Sequence, residues 1–359
     1  MQLPSLWLGA FLTGVASLSA ADRFVGDTSC STSGCHGGAG DRGQSLLCAE
    51  KDFHARARAI LLTPRSQRMA ETLKLPDAAT SQRCLVCHSP MEAVAPERLA
   101  VKPDQAVSCE SCHGPAERWL RSHTRADFSH ANRVADGMRD LAPLTNRATA
   151  CVACHQNLDQ DILESGHPEL TFELDGQTHA QPPHWQEKTH WLGPQIWLAG
   201  QSAAWREMVW QMERQSYPAL QEREAAFTWL FRYLKSNIDE LPEFLPPDDL
   251  ANREIYARQY AERAAAYPWN PDVASRAFAI LAASEKEFDL TPILAARRAE
   301  VLVLALDRIL PATKFPVETR VQIQTQLDSL FQQVQIPGDF QPNTFQIKLA
   351  ELHKIVSDS

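Results

Sequence analysis

Histidine directly follows the second cysteine of four cysteine pairs, and this repeated pattern constrains the chain more than any other feature. Three pairs have two intervening residues and the first pair has four. Only 12 of the 359 residues are histidine, so the odds of four such successions by chance are on the order of one in a million. The motifs are Cys30/Cys35/His36, Cys84/Cys87/His88, Cys109/Cys112/His113 and Cys151/Cys154/His155.

The spacing predicts covalent attachment of four haem c groups. Two thiols separated by two residues reach both vinyl groups on one porphyrin edge, while the next imidazole reaches the iron. Zinc ribbons use similar cysteine pairs, but zinc gives no reason for a histidine after each pair. At the first motif, a disulfide beside an incidental histidine stays open as an alternative. We therefore expect the eight motif cysteines to bind haem and four proximal histidines to bind iron: His36, His88, His113 and His155.

Each iron has a further axial position, whose occupant decides whether the site only passes electrons or also binds a substrate. His54 lies in the stretch DFHARARAILL, which predicts an amphipathic helix. His123 ends a segment of good helix formers after the third motif. His167 lies between a glycine and a proline, a setting that favours a tight turn. We predict these three histidines as distal iron ligands.

The fourth distal ligand is less defined by the sequence. We favour His184, because two preceding prolines stiffen the chain around it. An iron without a distal histidine stays open as an alternative, as does the assignment of each distal histidine to a particular haem. Three further histidines are close enough in sequence to serve: His130, His179 and His190.

Over residues 24–191 the chain resembles the multihaem cytochrome c-554 family. The strings CESCHGPA and GHPELTFEL carry the resemblance most specifically, with DFHARA and PPHW in support. The resemblance implies an exported, mostly helical electron carrier with closely packed haems, most of them ligated by two histidines. It also implies distal-ligand roles for His54, His123 and His167. Longer relatives have another histidine at the position of Asp159–Asp161 and a fifth haem motif, and this chain lacks both.

Residues 1–21 form an apolar run that ends in small residues, which predicts a secretory signal sequence. No Lys or Arg precedes the apolar run, and an uncleaved segment of this length could anchor the chain in a membrane. No later stretch approaches the length of a membrane span, so we expect a soluble mature protein in the periplasm, with an extracellular location as the alternative. A net charge of −9 argues against a nucleic-acid partner.

The sequence predicts a mainly α protein in which a multihaem cytochrome c domain, residues 22–191, precedes a helical bundle, residues 192–359. We expect strand at most near residues 171–174. The second half contains no cysteine and has prolines at four expected helix starts, which predicts six or seven helices. We expect Cys48 to be a buried small hydrophobe. Three tryptophans are expected in the bundle core: Trp197, Trp205 and Trp210.

These features favour an electron carrier that exchanges electrons with redox partner proteins, and we assign no catalytic residue. One alternative is a reductase or oxidase of a small nitrogen or sulfur compound at an open haem. Another is a filament subunit whose haems form a wire. The oligomeric state is left open. We interpret five charged residues near the motifs as solvated surface: Glu110, Glu117, Arg118, Arg121 and Arg125.

Overall fold

A computed structural model describes residues 22–102, 106–185 and 191–358. The chain is 66% helical, which confirms the predicted mainly α class. The α-helices of these ranges are α1 (Gln44–Lys51), α2 (Ala57–Ile60), α3 (Pro64–Thr72), α4 (Gln82–His88), α5 (Cys109–His113), α6 (His130–Ala135), α7 (Leu144–His155), α8 (Gln160–Glu164), α9 (Leu174–Ala180), α10 (Gly193–Arg214), α11 (Pro218–Asn237), α12 (Leu250–Ala266), α13 (Pro271–Ala282), α14 (Pro292–Ile309), α15 (Val317–Val334) and α16 (Pro342–Ser357).

Short 3₁₀ turns connect many of these helices. They span Asp27–Ser29, Gly40–Arg42, Phe53–Arg56, Pro90–Ala93, Pro96–Arg98, Ser122–Thr124, Glu285–Phe288, Leu310–Ala312 and Pro337–Asp339.

Extended structure is nearly absent from the described ranges. Their one β-type pairing is an isolated parallel bridge between Phe24 and Leu99. Residues 171–174, where strand at most is expected, form no strand, and Leu174 already begins α9. None of the described helices combines the length and apolar character needed to cross a bilayer. The predicted signal sequence, residues 1–21, and His190 both lie outside the described residues.

The second half contains seven α-helices within the described residues, α10 to α16, as predicted. Pro218, Pro271 and Pro292 occupy the first positions of α11, α13 and α14. Proline suits this position because the first helical N–H has no intrahelical acceptor. Pro316 instead lies one residue before α15, which begins at Val317. The sequence signals therefore located these helix starts to within one residue.

The tryptophans of α10 divide between core and surface. Trp197 and Trp205 are fully buried, and the Trp205 indole N–H donates to Glu224 Oε1 at 2.9 Å. The core prediction is wrong for Trp210, which is 39% exposed beneath the Arg214 guanidinium. Positions five residues apart on an α-helix are separated by roughly 140° around the axis, so Trp210 leaves the buried face that Trp205 occupies.

Most of the buried core belongs to the helical bundle. It extends into the first half through Ala148 and Val152 of α7 and through Phe172 and Leu174. By contrast, two clusters that lie wholly in the first half contain only five and three buried residues. The division between residues 191 and 192 therefore stays a prediction, since the principal core continues across it.

Ion pairs and hydrogen bonds also join the two halves beside His167. The Arg297 guanidinium, 5% exposed, donates to both carboxylate oxygens of Glu169 at 2.5 and 2.6 Å. Burial raises the pKa of Glu169, but the hydrogen bonds from Arg297 outweigh it and hold that pKa below its usual value. Arg223 donates to the Leu170 carbonyl at 2.6 Å. The segment after His167 is thus held by arginines of α11 and α14.

Replacing Glu169 with glutamine should lower the free energy of unfolding by roughly 1–3 kcal/mol, because a buried guanidinium loses its charged acceptor. Urea denaturation of the haem-loaded protein measures the change. Glu240→Gln is the matched control, since it breaks an ion pair with Arg276 in which both side chains are half exposed. We expect no measurable effect there. Equal effects of the two substitutions would contradict the role given to Glu169.

Candidate haem-binding sites

The three regular motifs lie on single helical turns. The second is part of α4, the third forms α5, and the fourth is the last turn of α7. Residues three and four positions apart share one face of an α-helix. Each of these turns therefore presents two thiols and one imidazole to the same side.

The first motif does not form an α-helix. On a helix, cysteines five positions apart would point in directions that differ by roughly 140°, so the two thiols could not face one porphyrin edge. The chain forms a compact loop instead, in which the His36 N–H donates to the Cys30 carbonyl at 3.0 Å. Gly37 closes this loop, and a Cβ there would lie 1.9 Å from the Ser31 carbonyl oxygen. Gly37 is absent from the residues predicted for this site, although a glycine directly after the motif is a sequence signal for such a closure.

Cys35 is the predicted attachment residue that the structure supports least. It is exposed, whereas the other seven motif cysteines, Cys30 among them, are partly buried. Its N–H donates to the Thr32 carbonyl at 2.9 Å, so the four-residue insertion forms a turn that the regular motifs lack. A thiol beside a porphyrin edge is expected to lie next to other apolar groups, and the exposure of Cys35 departs from that expectation. Attachment through Cys35 therefore stays a prediction, and the mass measurements proposed below test it separately.

Each motif histidine faces one of the four predicted distal histidines. Metal–imidazole bonds are about 2 Å long, so two imidazoles on opposite sides of one metal have ring centroids roughly 6 Å apart. The spacing of all four pairs therefore fits one iron between the two rings. The centroid distances are 6.2 Å for His36–His123, 6.4 Å for His88–His167, 6.4 Å for His113–His184 and 5.9 Å for His155–His54.

Two of the histidines weighed for the fourth site have other partners. His130 Nε2 lies 3.1 Å from Asp140 Oδ1, and His179 Nδ1 lies 2.8 Å from the Asp175 carbonyl oxygen. The structure thus brings together every histidine in the predicted ligand set, and it resolves which ones face each other. Their roles as iron ligands stay a prediction.

Hydrogen bonds at Nδ1 orient several of these rings and leave Nε2 for a metal. Five imidazoles have such contacts: His36 with Gln44 Oε1 at 3.1 Å, His54 with Asp52 Oδ1 at 3.0 Å, His88 with the Ala57 carbonyl at 3.0 Å, His123 with the Trp119 carbonyl at 3.2 Å and His167 with the Pro168 carbonyl at 2.8 Å. His184 Nδ1 is buried and has no hydrogen-bond partner within the described residues.

Burial keeps several of these imidazoles neutral, the form that binds metals. It lowers the pKa of His113 to about 4, with smaller contributions from His184 and His36. Burial also lowers the pKa of His155. His54 differs, since its hydrogen bond to Asp52 outweighs burial and raises its pKa.

Cysteines of different motifs contact each other. The side chain of Cys30 lies next to that of Cys109, and the side chain of Cys87 lies next to that of Cys154. None of the nine cysteines, all of which lie in the described ranges, forms a disulfide. The first motif therefore adjoins the third, and the second adjoins the fourth. Cys48 is half-buried, and burial raises the pKa of its thiol to about 11.

The surroundings of the motifs also fit a large apolar cofactor. The helix expected around His54 is interrupted, because a 3₁₀ turn precedes the short α2. Phe53, Ile60 and Leu62 of this stretch are 75%, 54% and 61% exposed. Exposed apolar side chains near so small a polypeptide core gain stability when an apolar group covers them. A porphyrin is such a group, so these residues and the motif donors fit haem c.

Glu110, inside the third motif, is 1% exposed, so its interpretation as solvated surface is wrong. Its carboxylate accepts backbone N–H groups from Val25, Gly26 and Ala116 at 3.0, 2.8 and 2.7 Å. These three buried N–H groups need an acceptor, which explains why the Glu110 carboxylate is buried. The motif pattern gave no signal of this role. The other four charged residues are exposed: Glu117, Arg118, Arg121 and Arg125.

Residues 30–114 match the family model described as cytochrome c554 and c-prime. The match contains the first three motifs and His54, and it ends before His123 and the fourth motif. The match supports a c-type cytochrome with covalently bound haem c and an electron-transfer role. No curated protein and no solved structure matches the chain.

Replacing Glu110 with alanine should lower the free energy of unfolding by roughly 2–4 kcal/mol, because three buried N–H groups lose their acceptor. Trypsin should then cleave after Arg23 faster than in the unmodified protein. Both effects are measured on the haem-loaded protein, by urea denaturation and by mass spectrometry of the digest.

The matched control is Glu117→Ala. Glu117 also bonds to the N-terminal segment, through Arg23, but this ion pair is exposed. We expect a much smaller change in stability. If both glutamate variants unfold alike, the buried carboxylate is not what anchors the segment.

Proposed function

We propose that this chain, a c554-type cytochrome over residues 30–114, is an exported tetrahaem protein that transfers electrons between redox partner proteins. One observation carries the proposal: each of the four motif histidines faces a second histidine, at 5.9 to 6.4 Å between ring centroids. When bound, haem c would supply an iron that takes up and releases one electron, and two facing imidazoles would hold that iron.

The chain's own residues hold the cofactors and limit rearrangement. We assign the eight motif cysteines to covalent attachment and the motif histidines to one axial position of each iron. The four facing histidines would hold the same irons from the other side: His54, His123, His167 and His184. At His54, His123 and His167, acceptors at Nδ1 fix the ring orientations, so these ligands are already in place when the charge at the metal changes.

The contacts between cysteines support transfer along the chain. Because Cys30 meets Cys109 and Cys87 meets Cys154, cofactors attached at these residues are neighbours. Electrons then have a route between centres within one molecule. This arrangement favours a relay over four isolated centres.

The ring pairs favour the carrier over the two alternative functions. Substrate reduction at an open iron requires a motif histidine with no facing imidazole, and His113, the motif histidine with the least defined distal partner, faces His184. A filament that completes its centres in trans requires a histidine from another chain. Here all four facing histidines come from the same chain.

Export is the part of the proposal that rests on the N-terminal sequence. Residues 1–21 have the apolar core and small-residue end of a signal sequence. We propose the periplasm as the destination. Cell fractionation that recovers the protein from the medium instead would favour the extracellular alternative, and recovery with membranes would indicate an uncleaved N-terminus.

The intact mass of the purified protein should equal the chain from Asp22 with four haem c groups. After unfolding, iodoacetamide should modify one thiol per chain, Cys48, since thioethers do not react. In the folded protein this reaction should be slow at pH 8, because burial raises the pKa of Cys48 to about 11. Cys48→Ser is the control with no reactive thiol.

The number of reactive thiols also tests the first motif. Three haems and three reactive thiols would remove that motif from the attachment sites. Four haems with two reactive thiols, Cys35 and Cys48, would limit attachment at the first motif to Cys30. In that case the exposed Cys35 should react already in the folded protein, faster than Cys48.

The ferric protein should give only low-spin signals in electron paramagnetic resonance, unchanged by cyanide, nitrite or hydroxylamine. An added ligand must displace a tethered imidazole whose effective concentration at the iron is high. Alanine at His54, His123, His167 or His184 should convert one centre to high spin while the intact mass keeps four haems. His179→Ala is the matched control, since its side chain is 74% exposed.

A high-spin signal in the unmodified protein that cyanide abolishes would indicate an open iron. That result would favour a reductase or oxidase over the electron carrier. An unchanged spin state in any one of the four distal variants would remove that histidine from the ligand set.

A further inference from the structure

The hydrogen bond at His54 differs in charge from the other four imidazole contacts described above. His54 Nδ1 lies 3.0 Å from Asp52 Oδ1, a carboxylate oxygen. At the other four rings the acceptor is the neutral side-chain amide of Gln44 or a backbone carbonyl. Among these five rings, therefore, a charged acceptor lies behind only one.

Asp52 is held firmly in this position. Its side chain is 7% exposed, and Oδ1 also accepts the backbone N–H of His54 at 3.0 Å. Oδ2 accepts from Gln181 Nε2 at 3.1 Å. The residue ends α1 and caps the 3₁₀ turn that carries His54, while Gln181 caps the end of α9. Two elements far apart in sequence thus fix one carboxylate against one imidazole.

Such a contact raises the basicity of the imidazole. An imidazole that donates its Nδ1 hydrogen to a carboxylate becomes more electron-rich at Nε2 and binds a metal as a stronger base. Charge-assisted hydrogen bonds of this kind are roughly twice as strong as those to neutral acceptors. A more basic axial ligand stabilises ferric over ferrous iron, so the centre accepts an electron less readily.

We propose that Asp52 is a positioning residue that acts through His54 to lower the reduction potential of the centre shared by His54 and His155. The reaction affected is the uptake of one electron from an external donor by that iron. With a neutral acceptor in place of the carboxylate, the same centre would be reduced more easily. The inference rests on the proposed function, because it requires His54 to be an iron ligand.

The first test is Asp52→Asn in the full haem-loaded protein, since asparagine keeps an oxygen that can accept from His54. In a spectroelectrochemical titration, one of four one-electron components should move to higher potential. We expect its reduction equilibrium constant to rise about tenfold, which corresponds to about 59 mV for one electron. The other three components should stay in place, and all four centres should remain low-spin.

Electron paramagnetic resonance separates an effect through the ligand from the loss of a nearby charge. A change in the electronic character of His54 should alter the g-values of one low-spin signal in Asp52→Asn. A higher potential with unchanged g-values would mean that charge alone is responsible, and it would overturn the role of the imidazole.

Gln44→Glu provides the converse experiment and does not depend on the folding of the Asp52 variant. It places a carboxylate against His36 Nδ1, where the amide oxygen now lies at 3.1 Å. One component should then move to lower potential. Unchanged potentials in both variants, with four low-spin haems, would overturn the inference and leave the carrier function standing. An unaltered spin state in His54→Ala would instead show that the ligand assignment is at fault.

Discussion

The distance between facing imidazoles is the constraint on which the first half of the protein depends. Two rings on one metal have centroids roughly 6 Å apart, and here four pairs meet that distance. His54 and His155 lie far apart in sequence, as do His88 and His167. The small polypeptide clusters of this region contain only five and three buried residues. In the proposed function, metal coordination by these pairs takes over much of the organising role that a hydrophobic core has elsewhere.

The helical bundle supplies the rigid part of the arrangement. Helix α7 ends in the fourth motif, while Ala148 and Val152 of the same helix belong to the bundle core. The arginines of α11 and α14 hold the segment that follows His167. The ring pairs that contain His155 and His167 are thus connected to the hydrophobic core of the bundle. The bundle supports a first half whose own apolar clusters are too small to stabilise it.

The parts of the structure predicted from the sequence are those that depend on local spacing. Two thiols and an imidazole at fixed separations define a motif, and a proline before an apolar stretch defines a helix start, so both were visible in the sequence. The sequence does not show that His113 faces His184, because no local pattern relates two residues so distant in the chain. The predicted burial of Trp210 and the predicted exposure of Glu110 are wrong for a related reason. Burial depends on which partners tertiary packing supplies, and neither residue type reveals that by itself.

The carboxylate of Glu110 has a consequence for the order in which the chain is completed. Its backbone partners at Val25 and Gly26 lie just before the first motif, and Asp27 Oδ1 also accepts the Cys109 N–H at 3.0 Å. If the chain is exported as proposed, its N-terminus crosses the membrane first, and these early residues emerge long before the third motif. Residues 25–27 therefore lack these hydrogen-bond partners until residues 109 and 110 emerge. The fold around the start of the first motif is then completed only after the third motif is in place.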